Sequence, residues 1–165
     1  MTIASNTSPT ARLRTLMLRY GESHQSPANK QLHLICVPAI MMSTLGMIAS
    51  IPTPENVPFN FAHLAVVLAS IYYFQFRNFQ LLVGVWLMSA ASFLAIFTFG
   101  EHRLAFSIGI FVVAWIGQFI GHKIEGKKPS FFEDIFFLLI GPLWVLYKIA
   151  PSIFPDGDSN QRFTT

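Results

Sequence analysis

The chain has 165 residues, 53% hydrophobic and 15% aromatic against only 12% charged, with a net charge of +3 and a mean hydropathy of +0.51. A soluble domain carries about a quarter of its residues charged, so this composition excludes one and indicates a small integral membrane protein. The positive charge is spread along the chain rather than gathered in a patch, which excludes nucleic acid as a partner.

Residues 1–10 are rich in Ser and Thr and are expected to be disordered. From Ala11, residues Leu13, Leu16, Met17 and Tyr20 recur at helical spacing against Arg12, Arg14 and Arg19. That pattern predicts a short basic amphipathic helix, ended at Gly21 and lying on an anionic membrane surface. Ser26-Pro27 fits an N-cap followed by proline in the first helical position. The first span starts there, uncleaved because no secretory signal precedes it, and its internal Pro38 predicts a kink.

Four uncharged runs, 31–54, 56–76, 78–100 and 104–122, each approach the roughly 20 residues that cross a hydrocarbon core of about 30 Å. They are joined by a Pro-rich loop over 51–58, a tight turn at Arg77-Asn78, and a turn over Gly100–Arg103. The fourth connection, 121–130, leads to Ser130-Phe131-Phe132-Glu133, which has capping-box spacing, with Asp134 favoured in the first helical turn. The apolar stretch Ile135–Tyr147 that follows contains Gly141-Pro142 and reads equally as a tilted span, a re-entrant hairpin or a surface helix. The expected fold is all-α: a polytopic membrane helix bundle of four to five transmembrane helices with a short N-terminal amphipathic helix. It forms one domain over 11–150, followed by a flexible tail over 151–165. Cys36, alone in the first span, permits no internal disulfide and reads as a small core residue.

Four Lys and Arg precede the first span (Arg12, Arg14, Arg19, Lys30), none lies in the first loop, one in each of the next two, and three in the fourth (Lys123, Lys127, Lys128). The alternation predicts a cytoplasmic amino terminus. His24, His33 and His122 then share the cytoplasmic face, whereas His63 and His102 face the other side.

His24 and His33 are nine positions apart, which on one helix is about 900° of rotation and roughly 13 Å of rise. They can share a ligand only if the chain turns between them, and Pro27 supplies the turn. His122 closes the fourth span, with Glu125 three positions on and on the same face if the helix persists past it; Gly126 is an early stop signal. Two or three histidines plus a carboxylate suit non-haem Fe(II), with Zn(II) the competitor. Each histidine also has a plain reading as an interfacial side chain whose tip reaches water. Asn29 and Gln118 can orient the ligands or simply bond backbone. Lys127 and Lys128 are explained by topology and anionic lipid. The 17 phenylalanines read mainly as packing and lipid-facing surface, with the lining of an acyl channel as the other use.

Two blocks carry a resemblance: Tyr20-Gly-Glu-Ser-His24-Gln-Ser-Pro27-Ala-Asn29-Lys30-Gln-Leu-His33, running on to Val37-Pro38, and Gln118-Phe-Ile-Gly121-His122-Lys-Ile-Glu125. The chain resembles the membrane family that contains the fungal 2-hydroxy fatty acid dioxygenase. The resemblance implies an Fe(II)-dependent enzyme of alpha-oxidation that uses O2 to shorten a 2-hydroxy fatty acid by one carbon. It implies His24, His33 and His122 as catalytic iron ligands, with Glu125 a further candidate. Asn29, Gln118, Lys30 and Lys123 are the neighbouring or substrate-contacting candidates. Gln25 stands where the fungal pattern can carry a second adjacent histidine. The expected partners are the hydroxy acid, O2 and membrane lipid, in a bacterial inner membrane or, in a eukaryote, the endoplasmic reticulum, with the site cytoplasmic. The alternatives are another metal-dependent lipid enzyme or a non-catalytic membrane scaffold.

Overall fold

A computed structural model describes residues 8–54, 56–128 and 136–154. Every regular element among them is helical: α1 (Pro9–Glu22), α2 (Pro27–Ala49), α3 (Phe61–Phe74), α4 (Phe79–Phe97), α5 (Arg103–Glu125) and α6 (Phe137–Ile149). Short 3₁₀ turns, Gly100–His102 and Pro151–Ile153, precede α5 and follow α6.

Three helices are long and apolar enough to cross a membrane: α2, α4, and α5 with its leading turn. The second expected span is shorter than its uncharged run. Pro-rich chain occupies 51–58, and Asn60 caps α3 through bonds from the Ala62 and His63 amides. At 14 residues α3 is about 21 Å long, less than the core thickness. The fifth apolar stretch forms α6, 13 residues through Pro142. The side chains facing outward are what lipid demands: Ile35, Ile71, Phe74, Leu87, Leu94 and Val113 are each more than 60% exposed.

α1 starts earlier and ends later than its periodicity suggests. Ser8 caps it from the Ala11 amide, proline occupies its first turn, and it runs through Gly21 to Glu22. Its apolar face packs against the protein. Leu13, Met17 and Tyr20 are buried in a cluster with Phe137, Ile140 and Trp144 of α6. The reason is local: α6 offers a continuous apolar face, and burial there removes the same surface from water.

α2 and α5 pack closest, through small residues. A Cβ on Gly117 would sit 2.6 Å from the Cys36 sulfur, and Cβ atoms on Gly121 and Gly46 would strike Asn29 Oδ1 and Ser107 Oγ. Backbones approach this closely in a bundle only where side chains are minimal. α2 runs on through Pro38, whose missing N–H leaves the Leu34 carbonyl without a helical partner.

The end of the described chain is packed: Phe154 is buried and Asn78 Nδ2 donates to the Ile153 carbonyl at 2.9 Å. The rest of the expected tail, residues 155–165, lies outside the described residues. The Ser130–Glu133 capping box and Asp134 lie outside the described residues.

Candidate metal centre

α1 and α2 are joined by a four-residue turn, Ser23–Ser26, that brings His24 back over the first turns of α2. There His33 points inward, and His122 arrives from the last turn of α5. All three are buried, with 1%, 3% and 4% of their surface exposed. His24 Nε2 lies 3.1 Å from His33 Nε2, and His33 Nε2 lies 3.1 Å from His122 Nε2. The three form the one group of metal-competent side chains found among the described residues.

The proton position on His24 follows from its neighbour. His24 Nδ1 lies 2.5 Å from the Tyr20 carbonyl, an acceptor only, so Nδ1 carries the proton and Nε2 a lone pair. Burial pushes the His24 imidazole down to about 4, against the opposing pull of the Tyr20 carbonyl, so it is neutral at pH 7. His33 Nδ1 lies 3.3 Å from the Tyr20 hydroxyl, and burial pushes that phenol well above its usual range, keeping it neutral. Tyr20 therefore contacts two of the clustered histidines at once, His24 through its carbonyl and His33 through its hydroxyl, and its ring stacks on His24 at 4.2 Å. His122 Nδ1 has no hydrogen-bond partner among the described residues.

This donor set fits a transition metal. Imidazole lone pairs brought to 3.1 Å repel unless a proton or a cation lies between them. Two nitrogens bound about 90° apart at roughly 2.1 Å from one ion would be about 3 Å apart. Neutral nitrogen donors without thiolate suit iron or zinc.

The remaining expected site residues fall into separate places. Glu125 ends α5, which does persist that far before Gly126 turns left-handed at φ 72°. Its carboxylate accepts from the Gln25 and Ser26 amides, both at 2.7 Å, and from Asn29 Nδ2 at 3.2 Å. It thus caps α2, a task that Ser26 occupies by position but does not perform with its side chain. Asn29, fully buried, also donates to the Ser23 carbonyl at 3.1 Å and so tightens the turn that carries His24. Lys127 Nζ donates to the Glu22 carbonyl at 2.7 Å, tying α5 to the end of α1 where only topology and lipid were expected to matter. Lys30 is half-buried and Lys123 exposed. His63 completes the capping box of α3 and His102 sits exposed on the turn before α5, so neither joins the cluster.

Gln118 is buried one turn before His122 and lines an apolar cavity of about 430 Å³ that opens from the three histidines. That volume lies within the roughly 300–1,000 Å³ of small-molecule sites. The walls continue along α2 through Val37, Ile40, Met41, Thr44 and Ile48, with Ala65, Ala69 and Tyr73 of α3 opposite and Phe111 and Trp115 of α5 beside them.

Sequence reasoning missed Tyr20 and Trp144 as parts of the site. Trp144 is buried against His24 and His33, with ring centroids 5.6 and 6.3 Å away. The one sequence signal for Tyr20 was its place heading the Tyr-x3-His block; Trp144 sits in apolar sequence and has none. Tyr20→Phe keeps the carbonyl and the stacked ring but removes the hydroxyl beside His33. It is expected to weaken metal affinity about 10–100-fold, the usual cost of losing an orienting partner. Titration against a competing chelator checks this, and unchanged affinity would show that the hydroxyl does not orient His33.

A family model described as 2-hydroxy-palmitic acid dioxygenase Mpo1-like matches residues 10–153. The Saccharomyces cerevisiae 2-hydroxy-palmitic acid dioxygenase MPO1 is 26% identical over 142 residues, covering 82% of this chain and 78% of the relative. No solved structure matches.

Proposed function

The chain belongs to the Mpo1-like 2-hydroxy-palmitic acid dioxygenase family, and from that premise we propose that it is a membrane-embedded Fe(II) dioxygenase of fatty acid alpha-oxidation. It converts a 2-hydroxy fatty acid and O2 to the acid one carbon shorter, with CO2 and water as the other products. That stoichiometry balances: the substrate gives up four electrons and O2 takes them. The single observation that carries the reading is the junction of three histidine Nε2 atoms with the head of an apolar cavity.

His24, His33 and His122 hold the iron. Iron rather than zinc suits the reaction, because zinc has no redox chemistry and a 2-hydroxy acid must be oxidised. Bound iron supplies the electron transfer to O2 and a Lewis acid for the hydroxy acid. The protein supplies the rest. Tyr20 keeps the Nε2 lone pairs of His24 and His33 directed inward. The Gln118 amide, lining the cavity one turn from His122, hydrogen-bonds the carboxylate or 2-hydroxyl. Lys30, whose charge is felt at His24, draws the carboxylate to the mouth. The acyl tail lies in the cavity, where apolar walls exclude water from the reacting end. The charge pattern of the loops supports a cytoplasmic mouth, with the hydroxy acid entering from the bilayer.

The reading is tested by anaerobic purification in detergent with metal quantification, followed by oxygen-dependent turnover of 2-hydroxypalmitate read by mass spectrometry. About one iron per chain and a 15-carbon acid are expected. Absence of both overturns it.

A further inference from the structure

The lining of the cavity extends from the histidines along α2 and α3. Its α2 wall begins at His33 and ends at Ile48, 15 residues further along an unbroken helix, or about 22 Å. α3 runs antiparallel on the facing wall, so Tyr73 and Ala69 pack with the cluster around the histidine end. Ala65, Val66 and Ile48 instead pack against Leu45, Ala49, Ala62 and Ile96. Those four are each less than 9% exposed, so the distal lining is backed by buried side chains.

Resting on the function proposed above, we propose that this cavity is a ruler: the stop formed by Ile48, Ala65 and Val66 sets the longest acyl chain the enzyme accepts. An extended alkyl chain advances about 1.3 Å per carbon, from a C–C bond near 1.5 Å and tetrahedral angles. Allowing about 3 Å for the head group beside the nitrogens, the sleeve holds on the order of 14 carbons beyond C2. Longer tails must displace the distal cluster.

The geometry makes the length dependence graded. Ala65 and Ala69 both line the cavity and lie one turn apart on α3, about 6 Å along the axis. A phenylalanine at either position blocks the sleeve, at two different depths. Ile48→Ala opens the stop instead.

The test measures turnover of 2-hydroxy acids from 8 to 20 carbons in the full-length protein in detergent. In parallel, it measures thermal stabilisation by unreactive saturated acids of the same lengths. Ala65→Phe is expected to lower the long-to-short specificity ratio at least about tenfold, within the range a few misfitting methylenes produce. The cut-off of Ala69→Phe should fall four to five carbons below that of Ala65→Phe, and Ile48→Ala should raise the cut-off above the parent's. Coincident profiles in all three variants overturn the ruler while leaving the dioxygenase reading intact. A parent that oxidises no hydroxy acid, yet binds saturated acids with a cut-off that moves in the variants, overturns the dioxygenase reading and upholds the ruler. If either phenylalanine variant fails to fold, Ile48→Ala decides alone.

Discussion

His33→Ala is expected to abolish metal binding, lowering iron from about one per chain to less than about a tenth, with turnover falling on the order of 10³-fold or more. This is well beyond the 10–100-fold cost of losing an orienting partner. His33 is the candidate ligand whose Nε2 lies 3.1 Å from both others; without it the His24 and His122 rings remain, 5.0 Å apart between centroids, as a two-nitrogen site. The loss also leaves a space among buried residues, so folding is followed independently by gel filtration and by the thermal midpoint in detergent. His102→Ala, exposed and at the other end of α5, serves as the control with unchanged iron content. Iron retained at near-stoichiometric level in a folded His33→Ala protein would remove His33 from the ligand set.

The second large effect is on stability rather than chemistry. Glu125→Gln replaces an acceptor-only carboxylate, which receives three N–H bonds, by a group with one acceptor oxygen and a donor that would face a donor. Bonds to a charged acceptor contribute about 1.5–3 kcal/mol each when well buried. Glu125 is half-buried, so solvent screening reduces this, and a total loss on the order of 2 kcal/mol is expected. For a chain of this size that corresponds to a fall of about 4–8 °C in the thermal midpoint. Iron content at saturating iron should stay near one per chain, because the carboxylate is engaged with the start of α2. Loss of iron comparable to that of His33→Ala would instead make Glu125 a ligand.

These two residues show where sequence reasoning stops. His33 was identifiable because its partners announce themselves locally: Pro27 breaks the chain between it and His24, and charge alternation puts His122 on the same face. The start of α2 at Ser26-Pro27 was legible for the same kind of reason, whereas Ser8, Asn60 and Asn78, which cap α1, α3 and α4 through amides two or three residues away, were not anticipated as caps. Glu125 carried the same signals as a ligand, a carboxylate three residues from a histidine, and only its actual partners distinguish a cap from a ligand. α1 likewise has the pattern of a lipid-surface helix, and nothing within its own sequence says that α6 covers it.

The sequence by itself determined the helical class, three of the apolar spans, the turn at Pro27 and which three of five histidines are candidates. Periodicity, capping and charge placement operate within a few residues or at the membrane boundary. Tertiary structure alone decided that Glu125 caps a helix 99 to 100 residues away in sequence, that Tyr20 contacts both His24 and His33, that Trp144 packs on the same two histidines, and that Ile48 and Ala65 line one cavity with them. Each of those depends on which helix faces which, and the close α2 to α5 approach that fixes the pairing rests on glycine contacts between segments far apart in the chain.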